Sequence, residues 1–227
     1  MTEAVTPVDG ASIAERVAGV RERIVAAGGD PSAVTLVAVT KGFPADVALA
    51  AARAGLVDLG ENYAQELVAK VDTVAADGHG VRWHFLGNLQ RNKVRTLAAH
   101  VALWQSVDRA ALGVEIAKRA PGASVLAQVN LSGEAQKGGC GREELPDLVE
   151  SLVAAGLDVQ GLMGVAPAGP AEPAREGFRW LRASVDRLGL SVCSMGMSGD
   201  LEVAVQEGST MVRVGTGLFG ARPPRRA

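Results

Sequence analysis

Lys41 closes a short apolar run, Leu-Val-Ala-Val-Thr-Lys, and Gly42, Phe43 and Pro44 follow at once. Such a run reads as a buried strand. With alternating side chains, Val37, Val39 and Lys41 share one face. An ammonium among valines is costly unless it is paired or neutral. Burial lowers a lysine's pKa, and a neutral amine can attack a carbonyl to form a Schiff base. A strand-end lysine reaching into water is the ordinary alternative.

Two stretches near the carboxyl end suit an anion. Gly196 and Gly199 flank Met197 and Ser198 just before a helical segment, and Gly215-Thr216-Gly217 follows an apolar strand. Glycines let the backbone approach a ligand, and exposed amides at a helix start favour negative charge. Turn glycines alone would look the same, but two such loops at adjacent strand ends are less easily dismissed. Arg213 alternates with Met211 and Gly215, so it faces a strand's inner side. There it needs an acceptor, from a core carboxylate or from a ligand's ring nitrogen. Asn62 and His84 stand at the ends of two further strands. A phosphate cradle, a Schiff-base lysine and an arginine for a ring nitrogen together meet the demands of pyridoxal 5'-phosphate (PLP).

The elements that must position these groups alternate strictly. Ser12 and Glu15 have capping-box spacing, and Ile13, Val17, Val20 and Ile24 follow at helical intervals. Strands are expected at 36–41, 57–59, 81–86, 101–106, 124–131, 159–165, 190–195 and 211–214, with a helical segment after each of the first seven. Eight such units imply parallel pairing and a single (β/α)8 TIM-type barrel with an extra N-terminal helix, which must complete the ring. An open doubly wound sheet is the alternative. One domain over 1–221 is expected, with a disordered basic tail at 222–227. Barrel sites lie at the carboxyl ends of the strands, where Lys41, Asn62, His84, Ser198 and Gly215 all fall.

Composition narrows the function classes. The 227 residues are 48% hydrophobic with a net charge of -2, which offers no general field for nucleic acid or acidic membranes. Arg91, Lys93 and Arg95 lack interleaved aromatics and read as a solvated helix face. Cys140 and Cys193 have no metal-type spacing, and the three histidines are scattered, so no metal site is expected. Cys193 reads as a buried structural thiol. The first ten residues lack signal-peptide character, and no apolar run suits a membrane span, so a cytoplasmic protein is expected.

Longer segments carry a family resemblance. AVTK ending at Lys41, GENYAQE from Gly60, WHFLGNLQRNK from Trp83, QVNLSGEAQKGG from Gln128, LMGVAP from Leu162 and MGMSGDLEVAVQEGSTMVRVGTGLFGAR from Met195 closely resemble the pyridoxal phosphate homeostasis proteins. These look like the barrel domain of bacterial alanine racemases. The resemblance implies PLP held covalently through Lys41, Ser198, Gly199, Gly215 and Thr216 around its phosphate, Arg213 at the pyridine nitrogen, and Asn62 and His84 beside the ring. Asn88 and Leu86 depart from the family's usual residues, and neither is expected to touch the proposed lysine or phosphate groups.

An arginine at the pyridine nitrogen disfavours its protonation and weakens the ring as an electron sink. Racemases of this kind add a tyrosine from another domain, whereas Tyr63 is the sole tyrosine here. The expected function is therefore intracellular PLP and vitamin B6 homeostasis without robust catalysis. A PLP-dependent racemase or lyase is the alternative, and a Schiff-base aldolase the third. Expected partners are PLP and PLP-requiring apoenzymes, with no nucleic acid or membrane, on a monomeric chain. Lys137 could take a second aldehyde, a solvated loop lysine being the default.

Overall fold

The computed structural model describes residues 10–134, 138–167 and 169–222. Strands apolar on both sides must be covered twice over, by helices outside and by other strands inside. Eight parallel strands meet this demand by closing into a barrel in sequence order. They are β1 (Thr35–Val39), β2 (Asp58–Glu61), β3 (Arg82–Phe85), β4 (Val101–Val107), β5 (Ser124–Asn130), β6 (Asp158–Val165), β7 (Val192–Ser194) and β8 (Met211–Val214). The ring shuts through β1 and β8, with Val37 opposite Arg213. The fold is the expected (β/α)8 barrel, and closure excludes the open sheet.

Between the strands run α2 (Ala45–Arg53), α3 (Ala64–Ala76), α4 (Arg91–Leu97), α5 (Ala110–Arg119), α6 (Leu145–Ala154), α7 (Arg175–Arg187) and α8 (Leu201–Gln206). After β8, among the described residues, there is only the four-residue α9 (Thr216–Phe219). That is too short to cover the last seam, so α1 (Gly10–Ala26) lies there instead, as expected. Ile13, Val17, Val20 and Ile24 are its buried stripe. Arg16 Nη1 donates to the Leu218 carbonyl at 3.0 Å, and Arg23 grips both Glu202 oxygens at 2.6 and 2.8 Å. The helix already runs from Gly10, so Ser12 lies inside it rather than at its cap.

Apolar side chains form two separate bodies. The larger fills the space between strands and helices, and the smaller lies inside the barrel around Val37, Leu103, Leu126, Met163 and Met211. β7 is shorter than expected. The Leu190 amide bonds back to Val185 as the end of α7, and Gly196 turns the chain with φ +92°.

The carboxyl ends of β1 and β2 are held by a buried ion pair. Lys70 of α3 reaches Glu61 Oε1 at 2.5 Å and the Thr40 carbonyl at 2.8 Å. Thr40 Oγ1 donates to the same Glu61 oxygen at 2.6 Å. Burial pushes the Glu61 carboxyl up, against the pull of the Lys70 ammonium. Removing one partner of such a pair strands the other charge. Lys70→Met should therefore cost about 3–5 kcal/mol of stability, read by chemical denaturation. Loss of under about 1 kcal/mol, the range of exposed pairs, would contradict this view of the pair.

Candidate functional site

The carboxyl ends of the strands enclose a cavity of about 330 Å³. Lys41, one residue past Thr40, enters from the β1 side and is half-buried. Its backbone has little freedom. Lys70 holds the Thr40 carbonyl on one side, and the Gly42 amide donates to Glu66 Oε2 at 2.7 Å on the other. Phe43 packs edge-on against Phe219, with centroids 5.6 Å apart, tying the loop after β1 to α9. Burial, then the charges of Arg222 and Arg213, lower the Lys41 pKa, opposed by Glu61 and Glu66.

The two glycine loops meet across the cavity. Ser198 Oγ accepts from the Gly217 amide at 3.1 Å, and the Ser198 carbonyl accepts from Arg23 at 2.9 Å. Asp200 caps the same loop, accepting from the Met197 amide at 2.6 Å. Ser198, Gly199, Gly215 and Thr216 all line the cavity. Gly215 lies close to β1, and a Cβ there would stand 3.1 Å from the Val39 carbonyl oxygen, a tight contact. Thr216 opens α9, whose Gly217 amide donates to Ser198 Oγ and whose Leu218 and Phe219 amides donate to the Gly215 carbonyl.

Arg213 forms the cavity floor. It is 5% exposed, donating Nη1 to Ser194 Oγ at 2.6 Å and Nη2 to the Gly164 carbonyl at 2.8 Å. Burial lowers its pKa to about 10. No carboxylate lines the cavity among the described residues, so Lys41, Arg213 and Arg222 make it a site for an anion.

Of the eight expected site residues, Lys41, Asn62, Ser198, Gly199, Arg213, Gly215 and Thr216 come together here. His84 does not. Its imidazole lies deeper in the barrel, with Nε2 2.9 Å from Asp58 and Nδ1 2.7 Å from Gln105. Strand alternation is the reason, since Leu86, two residues further on, takes the place at the mouth. Leu86 thus lines the cavity. Asn88 lines a neighbouring cavity of about 440 Å³ with Tyr63, Gln90 and Lys93. That cavity is larger, but Lys41, Arg213 and the glycine loops do not line it.

Sequence reasoning missed Met163, Val165 and Met197 in the wall, and Arg222 at the rim. Met163 could have been found by its alternation with Gly161 and Val165 in β6. Arg222 was assigned to the tail without a role, and residues 223–227 lie outside the described residues, as does Lys137. Cys193 is fully buried in the barrel wall, its thiol pushed up to about 12 by burial, as a structural thiol requires. Among the described residues no cluster could hold a metal ion, and no helix is long and apolar enough to cross a membrane.

Gly87 makes a testable claim about this geometry. A Cβ there would sit 2.0 Å from the Asn62 carbonyl oxygen. Gly87→Ala should displace Asn62 from the cavity edge, visible as shifted Asn62 amide signals by NMR in a chain that remains folded. Unmoved signals would show that the backbone has room to spare.

Known proteins share the sequence and the fold of this chain. The family described as alanine racemase, N-terminal domain, matches residues 8–223. The pyridoxal phosphate homeostasis protein of Pseudomonas aeruginosa is 43% identical over 220 residues, covering 93% of this chain and 94% of the relative. That of Escherichia coli is 37% identical over 227 residues, covering 92% and 97%. Among solved structures, PipY of Synechococcus elongatus with PLP bound is 35% identical with a TM-score of 0.78, covering 92% of this chain and all of that one (100%). Alanine racemase from Bacillus anthracis, at 21% identity and a TM-score of 0.67, covers 96% of this chain and 57% of its own, and shares the fold. The chain belongs to the alanine racemase N-terminal domain family and, within it, to the pyridoxal phosphate homeostasis proteins.

Proposed function

We propose that this chain binds PLP in the 330 Å³ cavity, with Lys41 as its covalent anchor, and serves intracellular PLP homeostasis by holding the cofactor. The single observation that carries the reading is the convergence of Lys41, the Ser198–Gly199 and Gly215–Thr216 loops and Arg213 on one carboxylate-free cavity. Each part fits one part of the ligand. The two loops offer amides and hydroxyls to a phosphate. Arg213 has donors only, which suits an unprotonated ring nitrogen. Asn62 Oδ1 is buried without a hydrogen-bond partner, so the carboxamide is available to a polar ring substituent. When bound, PLP supplies an aldehyde that is electrophilic towards an amine.

The residues around that amine bind and orient rather than turn over substrate. Lys41 is the one amine among the cavity-lining side chains of the described residues, and burial favours its neutral, basic form. Tyr63 is half-exposed and faces the other cavity. His84 is engaged inside the barrel, and Cys193 is sealed in its wall. A site with one base and no opposing acid/base group suits retention and release over racemisation.

The test is the visible spectrum of full-length chain mixed with PLP, before and after borohydride. Wild-type chain should acquire a band that borohydride fixes covalently, and Lys41→Ala should acquire none. A colourless wild type, or an unchanged band in Lys41→Ala, would sink the proposal, and multiple-turnover racemisation of alanine would replace holding by catalysis.

A pH dependence follows from burial. The neutral amine is the reactive form, and Lys41 titrates below its ordinary 10.5. The rate of adduct formation should rise with pH, with a midpoint under 10.5. A midpoint at or above that value would mean that Lys41 is not desolvated in solution.

A further inference from the structure

A row of polar side chains runs through the barrel interior beneath the cavity. Arg213 Nη1 donates to Ser194 Oγ at 2.6 Å, and Ser194 Oγ donates to Gln105 Oε1 at 2.7 Å. Gln105 Nε2 stands 2.7 Å from His84 Nδ1, and His84 Nε2 stands 2.9 Å from Asp58 Oδ1. At the amino end of the barrel Arg82 grips the Asp58 carboxylate at 2.8 and 2.7 Å. Asp58, His84, Gln105, Ser194 and Arg213 come from five different strands, and all are buried.

The donor and acceptor inventory gives this row one direction. Arginine has no acceptor, so Ser194 must accept from Arg213 and send its own proton onward. Gln105 must then turn its oxygen to Ser194 and its NH2 to His84. That NH2 needs a bare Nδ1, which leaves the imidazole proton on Nε2, facing Asp58. At the far end burial pushes the Asp58 carboxyl up, but hydrogen bonds from His84 and Arg82 hold it below its ordinary range, so it accepts there. Reversing the Gln105 amide would set its oxygen against the bare Nδ1, two acceptors, and reversing the His84 tautomer would set two donors face to face; in a dry interior each such conflict strands a buried group. The tautomer is thus assigned from the network.

We propose that Gln105 and His84, anchored by Asp58, are positioning residues that fix the Ser194 hydroxyl and thereby the donors Arg213 presents to the cavity. Only the last step, from Arg213 to a ring nitrogen, rests on the PLP reading. The direction of the row does not.

Two measurements test it. Nitrogen-15 NMR of the full-length chain, with the His84 signal assigned by its loss in His84→Gln, should show a neutral ring protonated on Nε2. In PLP-loaded protein, Gln105→Leu should shift the visible band and weaken PLP retention about tenfold, the scale of one stranded buried group. Gln105→Glu keeps an acceptor towards Ser194. It should restore the band while placing protons on both nitrogens of His84, a result that simple packing would not produce. A wild-type His84 protonated on Nδ1 overturns the proposal, as does a folded Gln105→Leu with the wild-type band and retention. Should the wild type take up no PLP, the cofactor reading fails, and the His84 tautomer still decides whether the row runs as assigned.

Discussion

A cation that can only donate hydrogen bonds is buried inside the barrel, and much of the interior is arranged around that fact. Arg213 is buried beside Val37 of the neighbouring strand, and its charge persists because the guanidinium titrates far above neutrality. Leaving such a group unpaired costs several kcal/mol, so acceptors must be brought to it from other strands. Ser194 and the Gly164 carbonyl supply them. Parallel closure is what puts these three strands within reach, and the requirement then passes inward to Gln105, His84 and Asp58.

The second constraint is the opposite one, a lysine kept short of partners. Lys41 has flanking residues clamped on both sides, by Lys70 on the Thr40 carbonyl and Glu66 on the Gly42 amide. The carboxylates that do this hold backbone and Lys70 rather than the Lys41 ammonium. They are close enough to raise its pKa somewhat, yet burial and the two arginines win, and the amine is held below its ordinary pKa. A rigid backbone and a destabilised charge are what an amine needs if it is to meet a carbonyl.

The loops after β7 and β8 are built as one unit. Ser198 Oγ takes the Gly217 amide, Arg23 of α1 holds the Ser198 carbonyl and Glu202, and Phe43 packs on Phe219. The helix displaced from the end of the chain to its start therefore does more than close the ring. It braces the rim of the cavity at the loops after β7 and β8.

The sequence by itself determined the barrel, the lysine and the glycine loops. Strand count, alternation and turn residues are local properties, and Arg213 was legible as inward-facing because alternation is local too. What it could not determine was depth along the barrel axis. His84 sits at a strand end in the sequence, yet the residue two places on reaches the mouth. His84 therefore turns from a cavity residue into an interior one, and Leu86 takes its place. Gln105, Ser194 and Asp58 carried a weak signal, being polar at inward positions of short strands, but their partners lie on other strands. Arg222 reaches the rim only because α9 folds the chain back. Spacing along a chain records which face a side chain takes, and only tertiary closure decides what stands opposite it, because hydrogen bonds and desolvation depend on distances of a few ångströms between residues far apart in the chain.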